Sequence, residues 1–217
     1  MLKKSLSVVA LAFALAFPAF SQDGSGLKPQ GGDITAEVQL NLSSSNNNTI
    51  SFPQFKGRYF LSPTSALRLG LGLGVNNQEL ANDVERNSSS YSIGLGIEKH
   101  LAGTERLSPY FGAEVFFDGA SYDEKGPNFE VTDGWASGGG QASARAYSSY
   151  GLNVLAGADF YVARRLFLGV EFGFGFSSTE YDDVTVKVGN QSNTSEGYKS
   201  FGAGFNFLGG IRVGYAF

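Results

Sequence analysis

Few residues in this chain have types and spacing that could carry chemistry. His100 is the only histidine and there is no cysteine. A zinc site needs several such ligands, so no zinc site is expected. His100 falls where a short connection is expected and reads as a turn or interface residue, because a working base must reach its substrate. Gly70-Leu71-Gly72-Leu73-Gly74 is rich in glycine but keeps a period of two, so it is not a phosphate loop. Asp118, Asp123, Glu124, Glu130, Asp133 and the pair Asp182-Asp183 make the expected loops acidic. None has calcium-ligand spacing, and they read as solvated. Trp135 lies in the longest loop, as a contact residue or as a small loop anchor. No catalytic residue, no cofactor site and no metal site is expected.

A second set of polar residues is more informative, because it recurs at one phase of an alternating pattern. Lys56, Arg58, Arg68 and Arg212 are its cations; Glu37, Glu98, Glu114, Asp159 and Glu171 are its anions. Four charges of one sign against five of the other is close to balance, as mutual pairing requires. This set is expected to form a paired polar network inside a closed structure.

The elements that must position these charges are long strands. Leu67 to Val75 alternates Leu or Val with Arg68, Gly70, Gly72 and Gly74, and Tyr91 to Glu98 and Leu166 to Phe176 follow the same rule. Ile34 to Leu42 alternates likewise. Period two over eight to eleven residues signals strand. Weaker copies run from Phe55 to Leu61, Tyr110 to Phe117, Tyr150 to Val162 and Phe201 to Phe217, which makes eight. About 9–11 residues are what a tilted strand needs to cross a bilayer, whereas soluble strands average about 5–6. Short connections (62–65, 100–107, 163–165) alternate with long polar ones (43–49, 76–89, 118–143, 177–198). Phe60, Phe116, Leu155, Phe167 and Leu208 fall on the polar face and are expected to point inward.

The start of the chain has its own logic. Lys3 and Lys4 precede an apolar run from Val8 to Phe20, with small residues before Gln22. This is the layout of a secretory signal peptide over 1–21, followed by a loose lead-in over 22–32 and a barrel over 33–217. No later run reaches 18 apolar residues, so transmembrane helices are excluded and a closed barrel is the remaining way to span lipid. The acidic balance shows no face for nucleic acid.

The signal, the eight strands and the terminal Val213-Gly214-Tyr215-Ala216-Phe217 resemble the small outer-membrane barrels of the OmpA membrane-domain, OmpX and OmpW type. The resemblance implies an all-β fold, an eight-stranded antiparallel transmembrane barrel with short periplasmic turns and longer extracellular loops. It implies a place in the bacterial outer membrane, with lipids and lipopolysaccharide as neighbours. It also makes Ile211, Val213, Tyr215 and Phe217 the signal read by the barrel assembly machinery. Lipid-modifying enzymes of this kind use a histidine on the outer side, which His100 does not match. The function expected is a non-enzymatic structural or surface-interaction role, with a narrow passage for small or apolar solutes as the alternative.

Overall fold

A computed structural model describes residues 26–41, 55–136, 142–206 and 210–217. The expected leader and the readings on Leu42, 43–49, Gly139, Phe207 and Leu208 lie outside the described residues. Fourteen strands are present among the described residues: β1 (Ile34–Asn41), β2 (Phe55–Ser62), β3 (Ser65–Leu80), β4 (Val84–His100), β5 (Leu107–Gly126), β6 (Phe129–Thr132), β7 (Gly134–Ala136), β8 (Ala142–Arg145), β9 (Tyr147–Ala163), β10 (Leu166–Tyr181), β11 (Val184–Val188), β12 (Gln191–Ser195), β13 (Tyr198–Asn206) and β14 (Gly210–Ala216).

Eight antiparallel staves form the ring β1-β2-β3-β4-β5-β9-β10-β14, and β14 returns to β1. The closing register sets Thr35 against Ala216 and Val38 against Val213. β10 pairs β14 over Leu166 to Gly169 and β13 over Gly173 to Tyr181, so β13 and β14 are the upper and lower parts of the eighth stave. Closure leaves the lower sheet without an edge, the condition for standing in lipid.

The alternation sorts the faces as expected. Leu67, Leu69, Leu71, Tyr91, Ile93, Leu95, Leu168, Val170 and Phe172 are exposed on the outer surface. Phe60, Leu155 and Phe167 are fully buried on the inner face, and Phe116 is half-buried there. An apolar belt this continuous, on the outside of a closed sheet, is the reverse of a soluble protein.

The long connections differ from the sequence reading. Residues 76–89, expected as a loop, are nearly all strand: β3 and β4 stay in register from Ser65↔Lys99 to Leu80↔Val84. Only Ala81, Asn82 and Asp83 turn the chain, with φ of 62° at Asn82 and 55° at Asp83. Asn and Asp are the side chains that best tolerate that left-handed region. Most of 118–143 and 177–198 is strand as well, because β5 runs on to Gly126 and β6, β7, β8, β11 and β12 follow. β4 has 17 residues and β5 has 20, well beyond the roughly 9–11 that cross a bilayer. The long-loop end is therefore a folded projection of the sheet.

Topology gives a direct test. A protease site at Gly189, in the turn between β11 and β12, should be cut on intact cells. One at Thr64, in the two-residue turn between β2 and β3, should be cut only after the outer membrane is opened. Cleavage at both sites with intact cells would refute the orientation.

Candidate functional site

Period two decides which charges meet. Each of the eight staves places at least one charged side chain in the lumen: Glu37 on β1, Lys56 and Arg58 on β2, Arg68 on β3, Glu98 on β4, Glu114 on β5, Asp159 on β9, Glu171 on β10 and Arg212 on β14. All nine are buried.

The lower layer centres on two guanidinium groups. Arg58 donates through Nη1 to Glu98 Oε2 at 3.1 Å and Asp159 Oδ2 at 2.7 Å, and through Nε to Glu37. Arg212 donates to Glu37 Oε2 at 2.7 Å and Asp159 Oδ1 at 3.0 Å. Glu37 and Asp159 thus each hold both arginines. Above them, Arg68 reaches Glu98 Oε1 at 2.8 Å, Glu114 Oε2 at 2.8 Å and both oxygens of Glu171 at 2.9 and 3.0 Å. Lys56 Nζ donates to Glu171 Oε1 at 3.1 Å. Each charge therefore has opposite charges within hydrogen-bonding reach, without which burial would cost several kcal/mol per ion.

Three members were missed by counting charges. Tyr110 donates its hydroxyl to Glu171 Oε2 at 2.6 Å and accepts from Arg212. Thr35 donates to Glu37 Oε1 at 3.1 Å. His100 needs a correction: it is the last residue of β4, buried in the lower lumen, not in a turn. Its Nδ1 lies 3.0 Å from Ser108 Oγ, and its ring sits 5.2 Å from those of Phe60 and Tyr110. All three share the inward phase of their strands, so the alternation carried the signal. With Tyr161 and Phe167, whose rings lie 5.5 Å apart, these aromatics floor the network.

Glycines make room for the long side chains. A Cβ at Gly94 would come within 2.9 Å of the Glu114 carboxyl carbon, and one at Gly96 within 2.9 Å of Arg68 Cγ and Cδ. At Gly169 it would meet Asp159 Oδ1 at 2.6 Å and Arg212 Nη2 at 2.8 Å.

The long-loop end has a small core of its own. β6 pairs the top of β5, β11 pairs β6 and β12 pairs β11. Val131 and Val184 are buried there. Trp135 packs edge-on against Tyr122 at 5.1 Å, with the Arg86 guanidinium 5.1 Å from its ring. Arg86 pairs with Glu124 at 3.3 Å, and Glu124 accepts from the Ala136 amide at 2.6 Å. Of the two readings of Trp135, the packing gives the loop anchor. Arg145 ties β8 to the neighbouring connections by donating to the carbonyls of Asp182 at 2.8 Å and Glu196 at 2.9 Å. Burial, with the carboxylates of Asp182 and Asp123 nearby, raises the Asp133 carboxyl above its ordinary value.

A closed eight-stave ring with an apolar outside and a charged inside is an integral outer-membrane β-barrel, whose short turns face the periplasm and whose projecting strands face outward. The model of the OmpA-OmpF-like porin family matches residues 81–198. The chain belongs to that family and to the bacterial outer membrane.

Three solved structures are similar to the chain over most of its length. Outer membrane protein AlkL, solved by solid-state NMR in DMPC bilayers, is 13% identical, with 93% of this chain and 96% of that one covered and a TM-score of 0.44. OprG from Pseudomonas aeruginosa is 12% identical, covers 89% and 99%, and has a TM-score of 0.44. Ail, the attachment invasion locus protein of Yersinia pestis, is 15% identical, covers 87% and 100%, and has a TM-score of 0.39. No curated protein matches the chain in sequence.

Proposed function

We propose that this protein is a non-enzymatic outer-membrane barrel that acts through its outward projection, with a lumen sealed against steady flow. The buried network carries this reading. It draws on every stave and spans the lumen, and an eight-stranded interior is only just wide enough for side chains to fill. The aromatic floor of Phe60, Tyr161, Phe167 and His100 lies in the same lower lumen. His100 and Ser108, the one histidine–hydroxyl pair, are sealed inside and offer a substrate no access. The partners proposed for the outer surface are lipid tails, supported by the exposed apolar belt, and lipopolysaccharide at the outer end of the barrel.

The purified barrel should show no steady open channel in a planar bilayer. A large, stable conductance in the parent protein would overturn the sealed lumen and favour a passage for small solutes.

The end of the chain is proposed to guide assembly. Ile211, Val213 and Tyr215 lie on the lipid-facing phase of β14, and the Phe217 amide donates to the Ile34 carbonyl at 2.8 Å. The Tyr215 and Phe217 rings are 5.1 Å apart. Deleting Phe217 should lower the amount of heat-modifiable barrel recovered from the outer membrane. Unchanged recovery would show that this residue is no recognition element.

A further inference from the structure

Above the network the inner wall can be followed rung by rung through the strand register. One rung runs Glu114, Asn153, Gly175, Gly204. The next runs Gly94, Phe116, Gly151, Ser177, Gly202. The one above carries Ser92, Asp118, Ser149, Thr179 and Ser200. Glycine fills much of the lower two rungs, and a space opens there of about 290 Å³, lined by Phe116, Gly175, Ser177, Gly202 and Gly204 among others. A Cβ at Gly204 would meet nothing within 4 Å among the described residues.

Two acceptors share the lower rung with the lining residues Gly175 and Gly204. Asn153, cross-strand neighbour of the lining residue Gly175, is 6% exposed, and its Oδ1 has no hydrogen-bond partner among the described residues. A buried acceptor without a donor is costly, by about 1–3 kcal/mol. Glu114, on the other side of Asn153, is the most exposed carboxylate of the network at 9%, and Arg68 is its ion-pair partner. The network sets five carboxylates against four cations, so its charge is not fully cancelled, and its most solvent-accessible carboxylate lies on the lower rung of the cup. Asp118 adds a carboxylate two rungs above Glu114. Over residues 76–89, 118–136, 142–146 and 177–199, carboxylates outnumber cations by twelve to five, a field that concentrates positive solutes at the mouth.

An occupant must therefore donate hydrogen bonds, carry positive charge and lay an apolar part on the Phe116 ring. Hard metal ions take six or more oxygen ligands, more than this wall converges. Anions are repelled. We propose that the cup binds a protonated organic amine from outside the cell, its ammonium on Glu114 and Asn153 and its carbon chain along Phe116. The cup is closed below by the network, so this is a receptor site and does not require conduction.

Refolded full-length protein in detergent, titrated calorimetrically with butane-1,4-diamine, should bind it saturably. Butane-1,4-diol, matched in length but neutral, should not bind, and magnesium chloride alone should give no saturable heat. Asn153→Leu keeps the side-chain shape without the acceptor and should weaken binding at least tenfold. Gly204→Phe should fill the space and abolish binding while the barrel stays heat-modifiable. If Asn153→Leu does not fold, Gly204→Phe and Asp118→Asn decide, the latter with at least a threefold loss. No saturable binding by the parent protein, equal binding of the diol, or unchanged affinity in the folded variants would each overturn the proposal.

Discussion

Replacing Arg212 with alanine is expected to destabilise the barrel by about 3–5 kcal/mol. The side chain is 1% exposed and holds Glu37, Asp159 and Tyr110. Without it, Glu37 and Asp159 both depend on Arg58, whose Nη1 is already shared with Glu98. A further buried carboxylate charge is then left without a counter-charge, which is the costly way to break a buried ion pair. Arg212→Lys should recover only part of the loss, because one ammonium cannot reproduce a planar fork aimed at two carboxylates. Arg212→Met combined with Asp159→Asn should be milder than Arg212→Ala, since charge is removed from both sides. Denaturant unfolding of the refolded protein in detergent measures all three. A loss below about 1 kcal/mol for Arg212→Ala would mean that water enters and screens the network.

The lower barrel was legible in the sequence because one periodicity encodes both faces. Wherever Leu, Ile, Val or Phe marks the lipid phase, the phase of Arg58, Arg68, Glu98 or Arg212 follows by parity, and the nine charges fall inside. Parity also held the answer for Tyr110, Thr35 and His100, which chemistry alone did not single out. His100 was misplaced because strand β4 runs two residues past its pattern from Tyr91 to Glu98. The outer projection was not legible for a related reason. Residues 76–89 lose the apolar alternation because both their faces meet water, and 177–198 keep it only over the five residues of β11, too short a run to signal a long strand. Their backbones pair all the same, since ladder hydrogen bonds do not depend on side-chain polarity. Asn82-Asp83 was the available sign that this stretch is a tight hairpin. The partners within the network were also beyond the sequence, because which arginine meets which carboxylate depends on ring closure and stagger between staves.

Glycine placement carries the second large effect. Tyr110 lies over Gly157, its register partner, and a Cβ there would overlap the Tyr110 hydroxyl and ring and come within 2.6 Å of the Val170 carbonyl oxygen. Gly157→Val therefore cannot be absorbed by a flexible side chain swinging away. Overpacking alone costs about 1–3 kcal/mol. Displacing Tyr110 also removes a hydrogen bond from each of Glu171 and Arg212, at a further roughly 1–3 kcal/mol for buried groups left short of a partner. Assembly should fall sharply, with little heat-modifiable barrel in the outer membrane. Gly70→Ala is the matched control: among the described residues its Cβ would meet only the Gly94 backbone, at 3.9 Å. Removing a glycine from a strand interior where there is space should be neutral or stabilise by up to about 1 kcal/mol. In the double variant Gly157→Val with Tyr110→Ala, the part of the steric loss due to the Tyr110 ring should disappear, while the contact with the Val170 carbonyl and the loss of the Tyr110 hydrogen bonds should remain. If Gly157→Val assembled as well as Gly70→Ala, the luminal glycines would not be making room for the network, and their abundance would need another cause.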